Sequence, residues 1–145
     1  MVDAARLRKM VEKVTTLPGA DWDDGIPEWP DAAWNQSDWV QVYAADGTQP
    51  KFAVVTERGV LSDGKPCKTA CCLAGQTVVD FAPEGTILRG EYVLLPGGTV
   101  RNVDELAGDL LGGIGLLDRR ELFFGGNDAA DLRRISEDII AKHGE

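Results

Sequence analysis

Apolar side chains recur at helical spacing near the start of the chain. They form one stripe, which consists of Leu7, Met10, Val11, Val14 and Leu17. This periodicity predicts an amphipathic helix over residues 3–16. Asp3 is placed to cap its N-terminus, and Pro18-Gly19 ends it.

The C-terminal third repeats the helical pattern in shorter pieces. Predicted helices cover residues 103–111, 118–124 and 127–142, and glycine pairs separate them. Two residue pairs have the spacing of a capping box, and a third has that of a hydrophobic staple. These pairs are Asn102 with Glu105, Asp118 with Glu121, and Leu117 with Leu122. The last helix is expected to begin near Asn127 or Asp128 and to bury Leu132, Ile135, Ile139 and Ile140.

Strand-like patterns fill two stretches in the middle of the chain. Residues 39–44 and 51–56 are rich in β-formers and flank an Asp46-Gly47 turn signal. They predict an antiparallel hairpin with a loop over 45–50. Residues 86–101 predict a second strand-like region with a turn at Pro96.

Between the first helix and the first strand, residues 18–38 contain repeated proline and glycine, which predicts a long loop. The segment is acidic, and no Lys or Arg occurs between positions 14 and 50. All four tryptophans lie in it or directly after it: Trp22, Trp29, Trp34 and Trp39. We expect Trp34 and Trp39 to belong to the core.

The cysteine segment, PCKTACCLAGQTVV at 66–79, is predicted to open a helix over 66–81. Small residues four apart would then form a strip along it: Cys67, Cys71 and Gly75, with Ala70 and Ala74 beside them. Glycine in a helix interior costs up to about 1 kcal/mol. We therefore expect another backbone to approach Gly75 closely.

The three cysteines also allow two chemical interpretations. Cys67, Cys71 and Cys72 could bind zinc together with His143, the only histidine, although Cys72 would point away from the other two. Alternatively, Cys67 could be a nucleophile near a helix N-terminus. The favoured interpretation is structural, since cysteine packs as a small buried hydrophobe. The sequence thus predicts no catalytic residue, no metal site and no cofactor.

These patterns together predict an α+β fold in a single small domain over residues 1–145. We expect about four helices, short antiparallel β-hairpins, and the small-residue cysteine helix at the centre. The strand-like insertion would cover 39–62, and the C-terminal helical region 102–142. A chain of 145 residues is long enough to bury a core of its own.

Charge narrows the possible partners. The formal net charge is −9, which argues against binding to nucleic acid or to anionic membranes and allows a basic protein partner. The N-terminal residues contain no apolar stretch typical of a secretory signal. Because the cysteine count is odd, we expect reduced thiols and a cytoplasmic location.

Several motifs resemble a family of small, uncharacterised proteins of bacteriophages that infect actinobacteria. The matching stretches are NQSDW at 35–39, CKTACCLAG at 67–75, LLGGIGL at 110–116 and ELFFGGNDAADL at 121–132. The motif residues carried over are Gln36, Trp39, Cys67, Thr69, Cys71, Ala74 and Gly75. Asn35 and Gln76 depart from the family pattern. The resemblance implies a non-virion phage protein in the host cytoplasm, and it implies no activity.

The acidic tryptophan segment is the predicted partner-binding site, through Trp22, Asp23, Asp24, Glu28 and Trp29. Tryptophan is a favoured anchor at interfaces, and acidic surroundings would attract a basic partner. Alternatively, Trp22 and Trp29 pin the segment to its own domain, and the acidic charge serves solubility. We expect a phage accessory protein that binds a host protein, as an inhibitor or anti-defence factor. A cysteine- or zinc-dependent enzyme and a small-ligand sensor are the alternatives.

Overall fold

The computed structural model describes residues 1–19, 32–36, 38–44 and 46–144. Within them, five helices and nine strands form an α+β domain, as the sequence predicts. The helices are α1 (Ala4–Thr16), α2 (Leu73–Phe81), α3 (Val103–Leu110), α4 (Leu116–Leu122) and α5 (Ala129–His143). The strands are β1 (Ala32–Trp34), β2 (Val40–Tyr43), β3 (Ala53–Thr56), β4 (Gly59–Ser62), β5 (Lys65–Pro66), β6 (Lys68–Cys71), β7 (Ile87–Arg89), β8 (Tyr92–Leu94) and β9 (Val100–Asn102). Among the described residues, no helix is both long and apolar enough to span a bilayer.

The strands form two sheets. The smaller has the order β1-β6-β2, with β1 parallel and β2 antiparallel to the central β6. The larger is antiparallel throughout, in the order β5-β4-β3-β7-β8-β9. One face of the larger sheet packs into the helical core through Ala53, Val55, Val60, Leu88 and Val93.

The first and last helices match their predictions closely. The Asp3 carboxylate accepts a hydrogen bond from Arg6 N at 3.0 Å and caps α1. Asp128 and Asp131 form a reciprocal capping box at the start of α5. Such pairs satisfy backbone donors that have no partner inside the helix. Of the four apolar residues predicted to be buried by α5, all but the half-buried Ile140 are buried.

The predicted helix over 66–81 is wrong in its first half. Lys68–Cys71 is the central strand of the smaller sheet, and the helix begins only at Leu73. Two neighbouring strands supply backbone hydrogen bonds on both sides of β6, and this long-range pairing overrides the local helical pattern. Cys67 and Cys71 therefore share no helical strip with Gly75. Small side chains are still required there, because Ala70 packs against Ala33 and Tyr43 in a separate buried cluster.

The hairpin predicted from residues 39–44 and 51–56 is also wrong. Both strands exist, but β2 belongs to the smaller sheet and β3 to the larger one. The turn signal at Asp46-Gly47 forms a local turn that does not join a hairpin, in which Ala44 N donates to Thr48 O at 2.8 Å. After this turn the chain continues into β3 of the larger sheet. Within the loop predicted over 18–38, Ala32–Trp34 forms β1.

The short helices differ in detail from their predictions. Gly115, rather than Asp118, is the N-cap of α4, and Leu117 is exposed instead of stapled to Leu122. Asn102 is the N-cap of α3 but its side chain makes no capping bond; it donates to the Glu105 carboxylate at 3.3 Å. Gly112 follows α3 with a left-handed φ of 97°, as the glycine pair predicts. The described residues thus hold five helices rather than about four, and the three in the C-terminal region are those that the individual patterns predict.

Candidate functional site

Asn35, Gln36, Asp38 and Trp39 lie beside the start of α2. Asn35 N donates to Cys71 O at 2.9 Å, and Cys72 N donates to Asp38 O at 2.8 Å. Trp39, half-buried, packs against the core beside the helix, as predicted. Its backbone lies so close to Gly75 that a Cβ there would stand 2.7 Å from the Trp39 carbonyl carbon and nearer still to its oxygen. The close approach expected at Gly75 is therefore present.

Cys72 provides the N-terminal cap of α2. Its Sγ accepts a hydrogen bond from Gly75 N at 3.4 Å and donates to Trp39 O at 3.7 Å. A thiol here takes the place that serine or threonine usually fills. The cysteine thus links the helix start to the same carbonyl that excludes a side chain at Gly75.

Gln36 joins three separate parts of the fold. Its Oε1 accepts hydrogen bonds from Trp34 Nε1 at 2.9 Å and from Leu73 N at 3.2 Å. Its Nε2 donates to Phe124 O at 3.2 Å. A single amide therefore connects β1, the first turn of α2 and the segment after α4, a role that no local sequence pattern indicates.

Burial suppresses the reactivity of the cysteine thiols. Cys71 and Cys72 are buried and Cys67 is half-buried, and all three are free. Desolvation raises the pKa of Cys72 to about 11 and raises the pKa values of Cys71 and Cys67 as well. Because the thiolate is the nucleophile, these thiols are protonated and weakly reactive at neutral pH.

The described residues contain no group of three or more His, Cys, Asp or Glu side chains that could hold a metal ion. His143 instead faces Asp118, with Nε2 3.3 Å from Oδ2. It ties the end of α5 to α4 and has no part in the cysteine segment.

Two other motif residues are also interior. Ala74 is fully buried in α2. Thr69 is buried within β6, the central strand of the smaller sheet. Together with Gln36, Trp39 and Gly75, these residues form a structural joint between the smaller sheet and α2.

Exposed apolar side chains identify a different candidate surface. Leu116, Leu117 and Phe124, which we call the α4 face, have exposed fractions of 50%, 78% and 63%. Leu116 and Leu117 lie in the first turn of α4, and Phe124 follows directly after its C-cap, Phe123. All three are exposed at the two ends of the helix, whereas Leu122 is buried beneath it.

Several polar contacts hold α4 in place. Arg119 Nε lies 3.5 Å from Asp104 Oδ2, and Arg119 Nη1 donates to Ile114 O at 3.0 Å. Asn127 Nδ2 donates to the carbonyls of Glu121 and Leu122 at 2.8 and 3.0 Å. The exposed face is therefore presented by an anchored helix. The α4 face was not predicted from the sequence, because Leu117 also fits the position of a staple residue. The seven-residue spacing of Leu117 and Phe124 was the available signal.

The predicted partner-binding residues Trp22, Asp23, Asp24, Glu28 and Trp29 lie outside the described residues. On their C-terminal side, the described chain resumes at β1, where the Trp34 indole donates to the Gln36 amide. Through the Gln36 amide, the C-terminal flank of the acidic segment is connected to Phe124 in the α4 face.

A groove of about 710 Å³ lies between the turn at 44–50 and the β4–β5 connection. Its lining includes Asp46, Asp63, Lys65 and Cys67. Charges of both signs and a protonated, half-buried thiol give it no evident catalytic arrangement.

The chain matches no protein-family model, no curated protein and no solved structure. The interpretation of its function therefore rests on the surfaces described above.

Proposed function

We propose that the protein binds a second protein through the α4 face. The observation that carries this proposal is the exposure of Leu116 and Leu117 on α4 and of Phe124 just beyond its end, because ion pairs and side-chain hydrogen bonds hold this helix in place. Large apolar side chains grouped on an anchored element are typical of interaction sites. Leucine and phenylalanine would supply the buried centre of the interface, with polar residues at its rim.

The charge around this face favours a basic partner. Residues 102–145 contain ten acidic and five basic residues, so the helical region carries much of the net negative charge. Complementary charge accelerates association and excludes partners of the same sign. Arg120 and Glu121, which lie between the apolar residues, are both exposed and can form ion pairs at the rim.

The acidic tryptophan segment supplies the second half of the proposed interface. Trp22 and Trp29 would act as anchors, and Asp23, Asp24 and Glu28 would attract the basic partner. Gln36 supports treating the two halves as one surface, because its amide bonds both to Trp34, on the strand that follows this segment, and to Phe124.

The resemblance to actinobacteriophage proteins supports a biological setting for this binding. In that setting, the protein is a non-virion accessory factor in the host cytoplasm, and its partner is a host protein that it inhibits, such as a defence component. An enzyme dependent on cysteine or zinc is less well supported, since burial raises the pKa of each thiol.

Affinity capture from an actinobacterial lysate tests the proposal. We expect the wild-type protein to retain a specific partner that Leu117→Glu combined with Phe124→Glu does not. Val100→Lys is the matched control, because Val100 has the same exposed fraction as Phe124, 63%, and lies on β9. Circular dichroism should show that every variant is folded.

Retention of the same partner by the α4 variant would contradict the proposal. A second variant, Trp22→Ala with Trp29→Ala, tests the acidic segment separately. Loss of binding in this variant alone would place the interface on the acidic segment rather than on α4.

A further inference from the structure

One row of apolar residues crosses the whole six-stranded sheet on its outer face. Each residue lies directly opposite the next across neighbouring strands, which places them on the same face. From β5 to β9 the row is Pro66, Leu61, Val54, Ile87, Leu94 and Val100. We call this set the outer row.

The outer row is separate from the core of the domain. The residues that alternate with it, such as Val55 and Val93, face the helices and are buried. Val54, Leu61, Ile87 and Leu94 are only half-buried, and Val100 is 63% exposed. Tyr92, two residues before Leu94 and therefore on the same face, is 48% exposed.

This arrangement departs from that of an ordinary solvent-facing sheet. In an antiparallel sheet with one solvent-exposed face, apolar and polar residues alternate along each strand. Strands that are covered on both faces are apolar at nearly every position. The runs FAVV at 52–55 and YVLL at 92–95 are apolar at every position, as in strands that are covered on both faces. The two strands that they contain, β3 and β8, therefore have apolar side chains on both faces of the larger sheet.

The charge of this region suits a second copy of the same chain. Residues 51–66 and 83–102, which contain the strands of the larger sheet and their connections, hold five basic and four acidic residues, so this part is close to neutral although the chain carries −9. Two such faces would meet without the repulsion that the acidic helical regions would cause. A basic partner would gain little here and would be attracted to the acidic helical region instead.

We propose that two copies of the protein associate face to face through their outer rows. In a twofold arrangement the same patch meets itself, and each row would pack on the row of its partner with the sheets about 10 Å apart. The row crosses five strand spacings, about 24 Å in length. A single row of six side chains is smaller than the ~800 Å² per partner of a standard stable interface. The dimer is therefore expected to dissociate on dilution.

Sedimentation velocity measures this equilibrium directly. Over protein concentrations from about 5 to about 500 µM, a range suited to an interface of less than standard size, the wild type should shift from monomer to dimer. Leu94→Lys would bury an unpaired charge at the interface and should weaken the dimer at least tenfold. Val100→Lys with Tyr92→Lys provides a second test at exposed positions, where the fold tolerates charge.

Leu117→Glu on the α4 face is the control and should leave the dimer unchanged. A protein that remains monomeric up to the highest concentration would overturn the proposal. A dimer that persists in both sheet variants, or one that only Leu117→Glu dissociates, would overturn it equally. Because this equilibrium needs no other protein, its outcome is independent of whether a partner binds the α4 face.

Discussion

The carbonyl oxygen of Trp39 occupies the position that a side chain on Gly75 would need. The neighbouring Val40 Cγ2 would lie 2.9 Å from a Cβ at Gly75. Trp39 and Val40 together therefore leave no space for a side chain at this position. Real Cβ atoms do not approach backbone atoms this closely, and the interior is too densely packed to accommodate the shift freely. The glycine is therefore a packing requirement of the joint between the smaller sheet and α2.

Gly75→Ala is expected to lower the free energy of unfolding by about 3 kcal/mol or more. The methyl group would force the Trp39 backbone away from α2, which is costlier than the overpacking of a flexible side chain. Urea denaturation measures the change. Gly97→Ala is the control, because no atom lies within 4 Å of a Cβ at Gly97. A loss below about 0.5 kcal/mol for Gly75→Ala would show that the joint relaxes more easily than its geometry indicates.

Cys72 should be replaceable by serine but not by alanine. Serine keeps an acceptor for Gly75 N and a donor for Trp39 O, whereas alanine removes the cap. The loss of an N-cap side chain costs about 1 kcal/mol. Chemical denaturation of Cys72→Ser and Cys72→Ala should therefore differ by this amount, with serine the more stable. Equal stability of the two would mean that the thiol packs at the helix start without capping it.

The stability of the fold should decrease at alkaline pH. Burial raises the pKa of Cys72 to about 11, whereas a thiol in the unfolded chain ionises near its ordinary value of about 8.5. Between these values the unfolded chain loses its proton first, so the free energy of unfolding falls as pH rises. The contribution of Cys72 is present in full below about pH 8.5, and about 3 kcal/mol of stability is lost by pH 11.

Urea denaturation at pH 7 and at pH 10.5 tests this linkage. Cys72→Ser lacks the titrating group and should lose distinctly less stability between the two values. The pKa of Cys71 is also raised by burial, so part of the alkaline loss should remain in the variant. An identical loss in the wild type and the variant would contradict a raised pKa at Cys72.

Gln36→Ala is expected to destabilise the fold by roughly 2 kcal/mol, because it leaves Trp34 Nε1 and Leu73 N without their acceptor. Gln41→Ala is a matched control, since the Gln41 amide accepts one long bond of 3.3 Å from Asn35. The indole N–H resonance of Trp34 should move in the Gln36 variant and stay in place in the control. An unchanged resonance would exclude the three-way connection.

The helices were the most predictable part of the fold. Periodicity and end signals identify α1 and α5 with their caps at Asp3 and Asp128, because both depend on residues close in sequence. The α+β class follows from the same local patterns. The smaller sheet could not be predicted, since β1, β6 and β2 come from distant segments and pair in mixed orientation. A helical pattern at 66–71 was overridden by that pairing.

The candidate site was predictable only in part. The absence of a side chain at Gly75 indicated a close backbone approach, which the structure contains, although the neighbour and the strip of small residues could not be named correctly. The α4 face depends on where a seven-residue helix begins: with the N-cap at Gly115 rather than Asp118, Leu117 lies inside the helix and is exposed instead of packing before it as a staple. The role of Gln36 depends on three partners that only the folded chain brings together.

Titration calorimetry with the purified partner tests the binding account most directly. We expect Leu117→Glu to weaken the affinity by about 30-fold, the effect of losing one interface anchor worth about 2 kcal/mol. Val100→Lys, on the sheet, should leave the affinity unchanged. Equal affinities of the wild type and Leu117→Glu would contradict the claim that the protein binds its partner through the α4 face.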